Sequence, residues 1–163
     1  MIERSASPAA TESCAEVTAT TWLSVEAGFV WFVEGATGKL RAPTATQSEL
    51  GGPGTGTNPE ELMAAAHANC FTSTLTSIAR SRHVDLESVE TSATTRLVWG
   101  EGHDHHLASS KLAVRIRSSS PEEAVRNLVE QAERECPVCQ AIRGNVDMTV
   151  DLQFEPSSRV GVE

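Results

Sequence analysis

Residues 54–82 read GTGTNPEELMAAAHANCFTSTLTSIARSR, and they set the frame for the rest of the chain. Asn58 is a good N-cap, its side-chain oxygen suited to an orphan backbone N–H. Pro59 falls at the first helical position, where its missing N–H costs nothing. Glu60 and Glu61 follow where the helix dipole favours anions. The pattern predicts one helix from there to about Arg82. Leu62, Met63, Ala66, Phe71, Leu75 and Ile78 put apolar groups on more than one side, and small residues crowd the first half. Such a helix is expected to be central and packed on several neighbours.

Upstream, Val17 to Val25 alternate as a strand does, and Ala27–Gly28 turn the chain into a second strand, Phe29 to Val33. Gly35 to Thr57 is rich in Gly, Pro, Thr and Ala and predicts a strand remnant at Lys39–Ala42, then a long loop. Loops of that length in a compact domain usually serve function. Downstream, Val89 to Trp99 and Leu112 to Arg117 alternate as two strands around a polar turn, GEGHDHH, at 100–106. Ser120 is expected to cap the next helix, with Glu123 closing a capping box. A short helix starts at Cys136–Pro137, and Val146 to Phe154 alternate as the last strand. The order is β-β-(β)-α-β-β-α-α-β, an α+β fold with a mainly antiparallel sheet around a long central helix.

Composition narrows the function. The chain has 163 residues, which fits one domain, taken here as 16–163 behind a disordered tail of 1–15. Thirteen Lys and Arg stand against 22 Asp and Glu, for a net charge of −9. That balance argues against nucleic acid and anionic membranes as partners. No apolar run approaches the roughly 20 residues of a membrane span. The N-terminal stretch has early acids and no apolar core, so no secretory signal is expected. Four cysteines fit a cytoplasmic protein whose thiols do chemistry or bind metal.

Two segments hold that chemistry. His67 and Cys70 are three apart and share a helix face. Free Cys and lone His there are more often plain core. Cys136-Pro-Val-Cys139 is a CxxC, a redox pair or half a zinc site. Cys136 at a helix start is the more acidic thiol on this reading. His67, Cys70, Cys136 and Cys139 together make a permitted Cys3His zinc set, but a mid-helix pair is an unusual half-site, and no metal is expected. GHDHH at 102–106 reads as a solvated turn. GGPGTGT lacks the Lys-Ser/Thr of a phosphate loop.

GTGTNPEELMAAAHANCF (54–71), taken with CPVCQAIRGNVDMTVDL (136–152), resembles the OsmC/Ohr family of osmotically inducible and organic-hydroperoxide-resistance proteins. The resemblance implies an intertwined homodimer and a thiol peroxidase for organic, alkyl or fatty-acid, hydroperoxides. By it Cys70 is the peroxidatic thiol and Cys136 the resolving thiol. Glu60 pairs with an Arg that orients and activates the thiolate. The hydroperoxide-resistance branch has that Arg after the first strand, where Val25–Val33 here carries no Arg or Lys; the osmotically inducible branch has it on about the segment of Arg41, the arginine between Arg4 and Arg80, so the resemblance implies Arg41 as the candidate. Cys139 stands where the family commonly has Ser, and is an alternative resolver. The resemblance implies no cofactor beyond an external dihydrolipoyl dithiol, on a lipoylated protein or a small thiol. An apolar pocket would favour alkyl peroxides. Met63, His67 and Phe71, with Trp31 and Phe29, are candidate walls and equally candidate core. The alternative is a member of the same fold that binds zinc through Cys3His, or a small ligand, and has lost peroxidase function.

Overall fold

The computed structural model describes residues 15–24, 30–100 and 105–157. The expected tail with Cys14, the Ala27–Gly28 turn, Phe29 and residues 101–104 of the polar turn lie outside the described residues. The chain's contacts gather into two compact units, Met1–Thr57 and Asn58–Glu163.

The N-terminal unit holds β1 (Ala19–Ser24), β2 (Val30–Gly35) and β3 (Arg41–Thr44) as an antiparallel sheet in the order β1-β2-β3. Trp22 faces Phe32 across the β1–β2 pair, and their rings stack 5.6 Å apart. Pro43 lacks an N–H, so it sits where a sheet tolerates that loss, on the edge strand β3. The long glycine-rich loop is ordered by its own backbone. Gly52 N–H donates to the Gln47 carbonyl at 2.9 Å, Gly54 N–H to Thr46 at 3.1 Å, and Thr57 N–H to Pro43 at 3.0 Å. A side chain at Gly52 would overlap the Thr46 carbonyl, and a Cβ at Gly56 would come within 2.6 Å of the Pro43 oxygen. These glycines are needed for close backbone approach.

The C-terminal unit starts with α1 (Pro59–Arg82), a helix without a break. Asn58 caps it, its Oδ1 accepting from Glu61 N–H at 2.8 Å. Next come β4 (Ser88–Trp99), β5 (His105–Ser118), α2 (Glu122–Glu135), α3 (Pro137–Ile142) and β6 (Asp147–Pro156). The sheet order is β4-β5-β6, with β4 antiparallel and β6 parallel to β5. A parallel pair needs a crossover, and α2 and α3 supply it.

The core forms between α1, the sheet and α2. Helix α1 buries the stripe His67, Phe71, Leu75, Ile78 and Ala79, while Ala65, Ala66 and Asn69 stay exposed. Against it come Leu112, Val114 and Ile116 of β5 and Val125, Leu128, Val129 and Ala132 of α2. The outward face of the sheet is a charged lattice: Lys111 pairs with Asp151 at 2.6 Å, Arg115 with Glu90 and Arg117 with Glu155, both at 2.9 Å.

Two local expectations are corrected. Ser120 does not cap α2; the N-cap is Pro121, without a side-chain cap bond. The Ser120 hydroxyl instead accepts from Asp85 N–H at 2.9 Å, tying the approach to β4 onto this turn. His105 and His106 are not turn residues. They extend β5, opposite Trp99 and Val98, because the β4 ladder continues to its last residue.

Candidate active site

Helix α1 and the start of α3 bring three thiols together. Cys70, halfway along α1, is half-buried, whereas Cys136 and Cys139 are fully buried. Cys136 is the N-cap of α3, with Pro137 at its first position and no side-chain cap bond. Cys70 packs against the buried cluster that holds Cys136, and all three cysteines are free.

Burial pushes the Cys70 thiol above its ordinary value, and the neighbouring Cys136 adds to that. Two donors work the other way: the backbone N–H of Val138 and the Thr74 hydroxyl. The Thr74 hydroxyl also donates to the Cys70 carbonyl at 2.9 Å, so it is shared. The Val138 N–H is therefore the fixed donor waiting for a Cys70 thiolate.

Behind the thiols runs a buried polar string. His67 Nε2 is 3.2 Å from Cys139 Sγ, and His67 Nδ1 is 2.8 Å from Ser110 Oγ. Burial holds the imidazole below its ordinary value, so it is neutral. Burial first, then Cys136, Glu133 and Cys70, push Cys139 up to about 12. Either ring nitrogen of a neutral imidazole can carry the proton, so His67 donates in one of these bonds and accepts in the other: with the proton on Nδ1, Nδ1–H donates to Ser110 Oγ and Nε2 accepts from the Cys139 S–H. The string Ser110–His67–Cys139–Cys136–Cys70 thus leads from the core to the half-exposed thiol.

Cys139 makes stability fall in alkali. Unfolded, the thiol ionises near its ordinary 9.0; folded, it keeps its proton to about 12. The stabilisation is complete below pH 9 and is lost as pH rises toward 12, and Cys70 acts in the same direction. Urea midpoints measured from about pH 8 to 11 should drop more steeply for wild type than for Cys139→Ala.

The other expected site residues are distributed as follows. His67 and Phe71 are enclosed, the first by Cys139 and Ser110 and the second in the apolar core. Met63 is half-buried on the first half of α1. Glu60 is in the first turn of α1, about 15 Å from Cys70 along the axis of an unbroken helix. Arg41 is exposed at the start of β3, in register with Glu34. Among the described residues, no group of three or more His, Cys, Asp or Glu side chains is disposed to hold a metal ion. A cavity of about 620 Å³ between β5, α2 and β6 is lined by His106, Glu133, Arg143 and Asp147, and by none of the thiols.

Sequence reading missed Ser110 and the Val138 N–H. Ser110 shares the inward parity of Leu112 and Val114 on β5, and a polar residue there was a usable signal. A backbone N–H leaves no trace in a sequence.

An α+β frame with a half-exposed helix thiol backed by a buried thiol from a second segment defines the class: a thiol-bearing domain of the OsmC type. The model for OsmC-like protein matches residues 52–151, and the chain belongs to that family. It is 33% identical over 109 residues to organic hydroperoxide resistance protein-like 2 of Staphylococcus epidermidis, covering 66% of this chain and 76% of that protein. It is 34% identical over 99 residues to organic hydroperoxide resistance protein OhrB of Bacillus subtilis, covering 61% and 71%. An organic hydroperoxide resistance protein from Legionella pneumophila has the same fold, with TM-score 0.72, 29% identity and coverage of 87% and 99%. Among the described residues no helix is long and apolar enough to cross a membrane.

Proposed function

We propose that this protein reduces organic hydroperoxides by a two-cysteine cycle, with Cys70 peroxidatic and Cys136 resolving. The observation that carries the reading is the half-exposed Cys70 thiol with the buried Cys136 thiol against it. The Cys70 thiolate attacks the terminal peroxide oxygen. The O–O bond breaks, an alcohol leaves after taking a proton, and Cys70 becomes a sulfenic acid. The Cys136 sulfur then displaces water from that acid and forms the disulfide. An external dithiol of the dihydrolipoyl type attacks the half-exposed Cys70 sulfur and restores both thiols. The organic hydroperoxide resistance proteins among the relatives support this substrate class.

The raised Cys70 needs a cation to ionise near neutral pH, and Arg41 supported by Glu60 is the assignment. Glu60 lies too far along its own helix to serve Cys70 of the same chain. Its part is therefore played across a homodimer.

The test is a steady-state assay with a dihydrolipoyl dithiol. Tert-butyl and fatty-acid hydroperoxides should give at least tenfold higher kcat/KM than hydrogen peroxide, about the effect of a few apolar contacts in the transition state. Equal rates for all three would remove the organic-peroxide assignment.

A further inference from the structure

The two-cysteine cycle leaves one buried thiol unused, and that thiol has a base. Cys139 Sγ faces His67 Nε2 at 3.2 Å, and Ser110 Oγ holds the far side of the imidazole at 2.8 Å. All three side chains are at most 1% exposed. Cys136 opposes the ionisation of Cys139 more strongly than Cys70 does. Cys136 and Cys139 are one turn apart at the head of α3. Helix geometry puts their Cα atoms about 5 Å apart, inside the roughly 4.4–6.8 Å window of a disulfide.

We propose that Cys139, with His67 as its base, takes over the bond, so that the disulfide first formed between Cys70 and Cys136 migrates to Cys136–Cys139. The inference rests on the two-cysteine reading above. His67 Nε2 accepts the Cys139 proton, and the Cys139 sulfur attacks Cys136 Sγ. The Cys136–Cys139 bond forms, the Cys70–Cys136 bond breaks, and Cys70 leaves as a thiolate. No oxidant or reductant is consumed. The proton stays on the imidazolium, whose Nδ1–H remains on Ser110 Oγ.

The surroundings fit this order of events. In the reduced protein burial opposes ionisation of Cys139 most, and Cys136, Glu133 and Cys70 add to it. A Cys70–Cys136 disulfide carries no charge, so the part due to those two sulfurs is gone at the exchange, and His67 works against burial and Glu133 alone. The departing Cys70 thiolate meets the Val138 N–H. The new bond joins two sulfurs that are both fully buried, out of reach of an external thiol. Oxidation is thereby stored inside the protein while Cys70 is set free. Reduction runs backward: Cys70 attacks Cys136, Cys139 leaves and recovers its proton from His67, and the exposed bond is reduced.

The experiment is peptide mapping of the wild-type protein after one equivalent of tert-butyl hydroperoxide without reductant, with acid quench and thiol blocking at successive times. Cys70–Cys136 should form first and Cys136–Cys139 should replace it, with Cys70 returning as a free thiol. In Cys139→Ser the first bond should form normally and persist. In His67→Gln migration should slow at least tenfold at pH 7, the low end for loss of a general base, and should regain speed as pH rises. A Cys70–Cys136 bond that persists in the wild type overturns the migration and leaves the peroxidase reading intact. Cys136–Cys139 appearing first, with no Cys70–Cys136 precursor, also overturns it. Absence of both bonds overturns the peroxidase reading and the migration together.

Discussion

Cys70→Ser should reduce hydroperoxide turnover to the rate of the dithiol alone. A serine hydroxyl is neither acidic enough to ionise here nor oxidisable to a sulfenic acid, so the first step has no substitute atom. Among the described residues the remaining thiols are Cys136 and Cys139, and both are fully buried. Replacing sulfur by oxygen at a half-buried position leaves the core stripe of α1 untouched, so folding should be retained. The measurement is kcat/KM for tert-butyl hydroperoxide beside a urea midpoint. Loss of rate with an unchanged midpoint assigns the effect to chemistry. Wild-type rates in this variant would remove Cys70 from the reaction.

The second large effect is on stability. Phe71 is fully buried next to the nucleophile, in the cluster with Leu75, Leu112 and Val125. Phe71→Ala should cost about 3–5 kcal/mol, the lost transfer energy of the ring plus the cavity it leaves. A domain of ordinary stability has only about 5–15 kcal/mol to lose, so the variant should unfold at a far lower urea concentration. Trp99→Ala, at the end of β4, serves as a contrast, since that residue is 46% exposed. Equal losses from both would mean that Phe71 is not the core residue described here.

Much of this frame was legible. The order of strands and helices follows from alternation and helical stripes, and Asn58-Pro59 marks the start of α1 to the residue. The two cysteine segments meet, because α3 docks on α1. Periodicity reports which face of a strand is buried, not which strand lies beside it. The parallel pairing of β6 with β5 was therefore not readable. The capping box at Ser120 failed for a related reason. A remote donor, Asp85 N–H, claimed the hydroxyl, and sequence spacing carries no record of that competition. The sequence offers His67 as a satisfied core histidine, as a pocket wall or as one of a Cys3His set with Cys70, Cys136 and Cys139; it is buried, and of the three sulfurs Cys139 is the one it bonds.

The central claim is that Cys70 is the atom peroxide meets first. It is tested most directly in Cys14→Ser/Cys136→Ser/Cys139→Ser, which leaves Cys70 as the one thiol of the chain to hold a sulfenic acid, after far-UV circular dichroism has verified the fold. One equivalent of tert-butyl hydroperoxide is added with a cyclic 1,3-diketone trap, and the labelled peptide is identified by mass. The account predicts a sulfenate adduct on Cys70 in near-stoichiometric yield. A protein that consumes peroxide with Cys70 unlabelled and still a free thiol would contradict it.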